Sequence, residues 1–129
     1  MKCLGAAVCV AVLTACGGPV ATIALVPRNE SGQVGTATLF DKGRDVEIVV
    51  ETIGGSDKGR QLAHIRTGPC ADNGSVAGFV LENLVPLENG QSTTLIEDRT
   101  VLDLQGARYN LTIQNSGDPS RATACGVIP

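Results

Sequence analysis

The side chains with the most chemistry to offer are five cysteines and a single histidine, His64. A redox copper centre needs several imidazoles, which match a borderline metal, tolerate both oxidation states and let one ring shuttle a proton. One histidine cannot supply that set, so no metal site is expected and His64 is at most a vestigial ligand. Two residues on, and so on the same side of a strand, stands Arg66, whose guanidinium is always charged and has no lone pair for a cation. Nucleophilic catalysis is no better served. The chain has no Gly-x-Ser-x-Gly elbow, no phosphate-cradling glycine loop before a helix, and no free cysteine set beside a histidine. Asp41 with Asp45 and Glu97 with Asp98 are carboxylate pairs of the kind found on solvated faces and turns, and no acid–base role is assigned to them. Hence no catalytic residue is expected.

The cysteines divide by position. Lys2 gives a short positive start, Leu4 to Leu13 a mostly apolar run, and Leu13-Thr14-Ala15-Cys16 a small-residue site ending in a thiol. This resembles the lipobox of bacterial lipoproteins, in which the chain is cut before the cysteine and its sulfur carries a diacylglycerol thioether. Two acyl chains anchor stably where one binds only marginally. The resemblance implies a signal peptide at residues 1–15, lipidation of Cys16, a short tether at 16–19 and a domain at 20–129 held on a membrane, outside the cytoplasm. The apolar run is shorter than the roughly twenty residues of a membrane-spanning helix. Gly17, rather than Asp, after the cysteine favours the outer membrane where the source has two. Cys3 and Cys9 leave with the signal, so Cys70 and Cys125 remain. In an oxidising compartment they are expected to pair, closing a long loop worth roughly 4 kcal/mol in the chain-entropy picture. The alternative is two buried, unpaired thiols.

The elements that would position these residues are short. From Val20 onward the pattern is of strands punctuated by Gly, Asn, Asp and Pro, with no amphipathic helical period, so the expected class is all-β, a Greek-key barrel or sandwich. Strands are expected at Thr22 to Val26, Val34 to Phe40, Arg44 to Ile53, Gln61 to Ile65, Phe79 to Leu84, Thr100 to Leu104 and Ala107 to Gln114. In the third, Val46, Ile48 and Val50 share one face and Glu47 and Glu51 the other. Turns are expected at Pro27 to Gly32, Gly54 to Gly59, Pro69 to Gly74, Glu88 to Gln91 and Asn115 to Pro119. With 13 acidic against 10 basic residues and only Phe40, Phe79 and Tyr109 as aromatics, the chain has neither charge nor stacking surface for nucleic acid. Asn29-Glu30-Ser31, Asn73-Gly74-Ser75 and Asn110-Leu111-Thr112 fit the glycosylation pattern but read as ordinary turn and strand polars in a bacterial chain.

His64-Ile65-Arg66-Thr67-Gly68-Pro69-Cys70, followed by Gly90 to Thr94, Tyr109 to Asp118 and Ala124-Cys125-Gly126-Val127-Ile128, resembles the copper/zinc superoxide dismutase superfamily. Val34 to Leu39 fits the same order of motifs. The resemblance implies an eight-stranded Greek-key barrel with a disulfide between Cys70 and Cys125. A chordin-type repeat of bacterial envelope proteins shares the extended His-Ile pattern and would give a similar barrel. The family's paired histidines correspond here to His64 and Arg66, and a further copper histidine to Gln114. Its bridging and zinc histidines have no counterpart from Ala71 to Asn83, where Asp72 and Glu82 are the carboxylates. Arg121 stands one residue further from Cys125 than the family's superoxide-guiding arginine. The expectation is therefore a non-catalytic binding or structural module without cofactor, in which His64, Arg66, Gln114 and Arg121 form a patch for a small anion or an acidic envelope partner. The alternative is a superoxide dismutase, or a copper or zinc carrier, using an incomplete site at His64.

Overall fold

The computed structural model describes residues 19–129. Cys16, Cys3, Cys9 and the expected signal segment lie outside them. The described chain is an all-β barrel of eight antiparallel strands: β1 Pro19–Pro27, β2 Val34–Asp41, β3 Val46–Ile53, β4 Ala63–Thr67, β5 Val80–Asn83, β6 Gln91–Ile96, β7 Tyr109–Gln114 and β8 Ala122–Val127. One helical turn, α1 Val101–Leu104, interrupts them. The ladders run β5-β4-β7-β8-β1-β2-β3-β6, a Greek-key order in which β3 leads across the barrel to β4 and β6 leads back to β7. β1 already includes Pro19, one residue before the expected start of the domain.

Alternation builds the interior. In β3, Val46, Ile48 and Val50 are buried and Glu51 is exposed, as the sequence pattern required. Leu39, Ile65, Leu111 and Ile113 meet them from β2, β4 and β7 in one apolar cluster. Only β5 and β6 lack a ladder between them. Their connection, followed back from β6, starts as a tight hairpin: Glu88 and Gln91 exchange backbone hydrogen bonds across Asn89 and Gly90, both at positive φ (53° and 76°), the Asn-Gly signature of a type I′ turn. Pro86 then has no N–H to offer, and the Val85 N–H donates to the Thr94 side chain instead, at 2.8 Å. Further along the seam, Arg99 clasps Glu82 at 2.6 Å.

Three sequence readings are corrected. Thr100 to Leu104 is not a strand but a capped turn of helix, with the Thr100 side chain accepting from Asp103 N and Asp103 accepting from Thr100 N. Gln91 to Ile96 and Ala122 to Val127, not among the expected strands, are β6 and β8. β8 escapes the alternation rule because both its faces are covered. Inward lies the core; outward lies the segment 68–78, fastened by the Cys70–Cys125 disulfide and by Ala122 N donating to Gly74 O and Val76 N to Ser120 O. The same segment covers Asn110 and Thr112 on the outer face of β7, with Asn110 donating to Gly68 O and Thr112 beside the disulfide sulfur of Cys125, while Gln114 is buried against His64 and Pro119.

The two ends of the barrel differ. Where β1 begins, Val101, Leu104 and Ile128 close it with apolar side chains. Where β1 ends, Gln33, Thr52, Gln61 and Thr123 close it with buried polar ones.

Candidate functional site

His64 and Arg66 project from the outer face of β4, since Ala63 and Ile65 take the inward positions. β4 pairs with β7, which brings Gln114 to His64, and His64 Nδ1 is hydrogen-bonded to Gln114 Oε1. The Gln114 amide is oriented by its own donation from Nε2 to Pro119 O at 2.7 Å. Its oxygen must therefore be the acceptor, so Nδ1 carries the proton and, in the neutral ring, the lone pair resides on Nε2. Arg66 turns to the returning leg of the covering segment, donating from Nε to Ala77 O at 2.9 Å and from Nη2 to Gly78 O at 3.2 Å. It acts there as a clamp on that loop. Among the described residues no three His, Cys, Asp or Glu side chains converge as metal ligands.

Arg121 does not join the other three. Its side chain donates to Asn29 Oδ1 at 2.5 Å and lines a separate cleft at the polar end of the barrel. Of the four residues expected to share one patch, the fold thus joins His64 to Gln114, commits Arg66 to the loop and sends Arg121 elsewhere.

The polar end is the more elaborate construction. Gln33 and Gln61, only 4% and 3% exposed, form a reciprocal amide pair with Nε2 to Oε1 distances of 2.9 and 3.0 Å. Gln33 also donates to Thr52 Oγ1 at 3.0 Å, and Gln61 to Thr123 Oγ1 at 3.0 Å. Asp57 completes the set. Its carboxylate accepts from Ser116 N at 2.7 Å, Ser116 Oγ at 2.6 Å and Gly59 N at 3.0 Å, with Gln61 Nε2 at 3.4 Å. Partial burial pushes the Asp57 pKa up, but the hydrogen bonds from Ser116, Gly59 and Gln61 outweigh it and hold the group below the usual carboxylate range.

Two clefts flank this network and share Gln33 and Asp57. One, of about 350 Å³, opens over Lys58, Asn89 and Gly90. The other, of about 180 Å³, is lined by Glu30, Ser56, Asn115 and Arg121 with Gln33 and Thr123 deeper in. Sequence reasoning missed Gln33, Gln61, Asp57 and Glu30 as a group. Gln33 and Gln61 lie 28 positions apart with no motif around them, so their meeting is a product of the strand order alone.

No family model, curated protein or solved structure matches this chain.

Proposed function

We propose that the chain is a lipid-anchored module of the bacterial cell envelope, whose barrel is of the superoxide dismutase type but serves binding or structure rather than catalysis. The observation that carries this reading is the outer face of β4 and β7. There His64 is engaged by Gln114, and the position where a second imidazole would be needed holds Arg66, clamped on Ala77 O and Gly78 O. The Greek-key strand order and the staple between Cys70 and Cys125 agree with the resemblance.

The anchor sets an orientation. Only Gly17 and Gly18 separate Cys16 from β1, a reach of about 10 Å at full extension. A lipidated Cys16 thus holds the apolar end of the barrel against the membrane. β1 then climbs nine residues, roughly 30 Å at strand rise, to the polar end, which faces away from the lipid.

One observation favours a second reading. The free Nε2 lone pair of His64 could take a copper or zinc ion as part of a site completed from outside the chain. The test is to express the full chain in a bacterium fed labelled palmitate, purify it, and measure metal per chain and superoxide removal. Label and membrane retention that vanish in Cys16→Ala, together with no activity, are expected. Release of unlabelled wild-type protein overturns the anchor. Metal near one per chain without turnover supports the carrier, and metal with turnover overturns the non-catalytic reading.

A further inference from the structure

The tight turn that leads out of β1 has an unusual occupant. Ser31 N donates to Arg28 O at 3.0 Å, closing a turn whose two central residues, Asn29 and Glu30, both have φ of 55°. This is type I′ geometry, in which the second central position favours glycine. Asn29 suits its place, and its side chain is used three ways: Nδ2 donates to Gly74 O and Ala122 O, each at 2.7 Å, and Oδ1 accepts from Arg121. Glu30 does not suit its place. A non-glycine residue held in the left-handed region is strained, and such strain concentrates at ligand clamps.

Among the described residues the Glu30 side chain has no offsetting ion-pair partner. The ion pairs among the described residues are Arg60–Glu88 and Arg99–Glu82, so neither Glu30 nor Arg121 is in a salt bridge there, although Arg121 lies near enough to the Asp118 carboxyl to help hold it below the usual carboxylate range. Both line the cleft of about 180 Å³ at the polar end. Asn115 is there too, its Oδ1 committed to Gly117 N and Asp118 N, which leaves its Nδ2 pair of donors for a ligand. The other carboxylate in the lining, Asp57, is filled by donors from the protein. The open groups are therefore one acid, one guanidinium and one amide, beside the floor of the amide network.

We propose that this cleft binds a small zwitterion of the amino-acid type, its ammonium on Glu30 and its carboxylate on Arg121 and Asn115. The proposal deepens the binding-module reading, resting on that reading's choice of binding over catalysis but not on the lipid anchor. The cleft volume admits a ligand of few heavy atoms, and the buried Gln33 and Gln61 behind it keep its floor fixed. A purely anionic ligand would leave Glu30 facing it with like charge.

The experiment is a nuclear magnetic resonance titration of the purified full-length protein with L-alanine, with acetate and with ethylamine, following the backbone amides of Glu30, Ser56, Asn115 and Arg121. Saturable shifts with alanine are expected, with at least tenfold weaker binding in Glu30→Gln and in Arg121→Gln, and no saturation with acetate or ethylamine. Equal response to acetate, an unaltered Glu30→Gln, or no shift with alanine overturns the proposal. Glu30→Gly supplies a second readout. It relieves the turn strain, so the melting temperature should rise while alanine binding is lost; a lower melting temperature would make Glu30 structural and sink the idea. Cys16→Ala must bind as the parent does, so that failure of the anchor and failure of the cleft are read separately.

Discussion

At one end of the barrel Val101, Leu104 and Ile128 complete the apolar core; at the other, Gln33, Gln61, Thr52 and Thr123 complete a hydrogen-bond network. Apolar closure is non-directional and roughly proportional to the area withdrawn from water. A buried amide pair is directional and holds only while every member has its partner. The first closure therefore contributes stability and tolerates reshaping, whereas the second contributes definition, setting the floor of two clefts that share Gln33 and Asp57. Under the proposed anchoring, the tolerant end lies against the lipid and the defined end is presented outward.

The sharpest test of that contrast is Leu104→Ala. Leu104 is fully buried, and its truncation removes transfer energy and leaves a cavity, so a loss of about 3 kcal/mol is expected in urea unfolding. Shifts in alanine binding at the far end should be absent. Gln61→Leu comes next, at about 2 kcal/mol, because it strands the Gln33 carbonyl oxygen in the interior. Replacing Gln33 and Gln61 together by Leu should cost less than the two single changes added, and strict additivity in that cycle would dissolve the network into independent contacts. Thr100→Ala follows at about 1 kcal/mol, since it removes the cap of α1 and with it the bond to Asp103 N. That loss should appear as faster amide exchange in Val101–Leu104 and leave Gln61 untouched.

The two ends were also unequally legible. β3 announced itself because Val46, Ile48 and Val50 recur at a period of two, with Glu47 and Glu51 on the opposite face. β6 did not, because its inward residues begin with Ser92 and Thr94, whose hydroxyls carry no hydrophobic period. β8 is hidden by burial on both faces, an effect of residues 68–78, which only the folded chain brings there. Thr100 and Asp103 did carry a local sign, a threonine three residues before an acid, but the apolar Val101, Leu102 and Leu104 read equally well as strand. The disulfide followed from counting, since Cys70 and Cys125 are the cysteines that lie beyond the segment resembling a lipobox. The site was least readable. His64 and Gln114 do meet, but the Gln33–Gln61 pair and the strain at Glu30 depend on register and dihedral angle, which side-chain type does not encode.

The smallest effect is the one that separates the ends by pH. Asp57 is held below its ordinary pKa of about 3.9 by donors from Ser116, Gly59 and Gln61 acting against burial. A carboxyl so depressed contributes stability above its unfolded pKa, and that contribution disappears as the pH falls through the folded value. Wild-type protein should therefore lose stability at the polar end as the pH drops below about 4, and Asp57→Asn should flatten that slope. Asp103 is depressed too, by bonds from Thr100, so the total acid slope combines both ends and global unfolding alone cannot assign it. Amide exchange can. Protonating Asp57 frees Ser116 N and Gly59 N, whereas protonating Asp103 frees Thr100 N. Acid-induced loss of protection at Ser116 and Gly59 with the core amides of β3 unchanged would show the polar end yielding by itself. Simultaneous loss at Ile48 would mean that the network and the apolar core unfold as one unit, and the contrast between the two ends would be one of chemistry without mechanical independence.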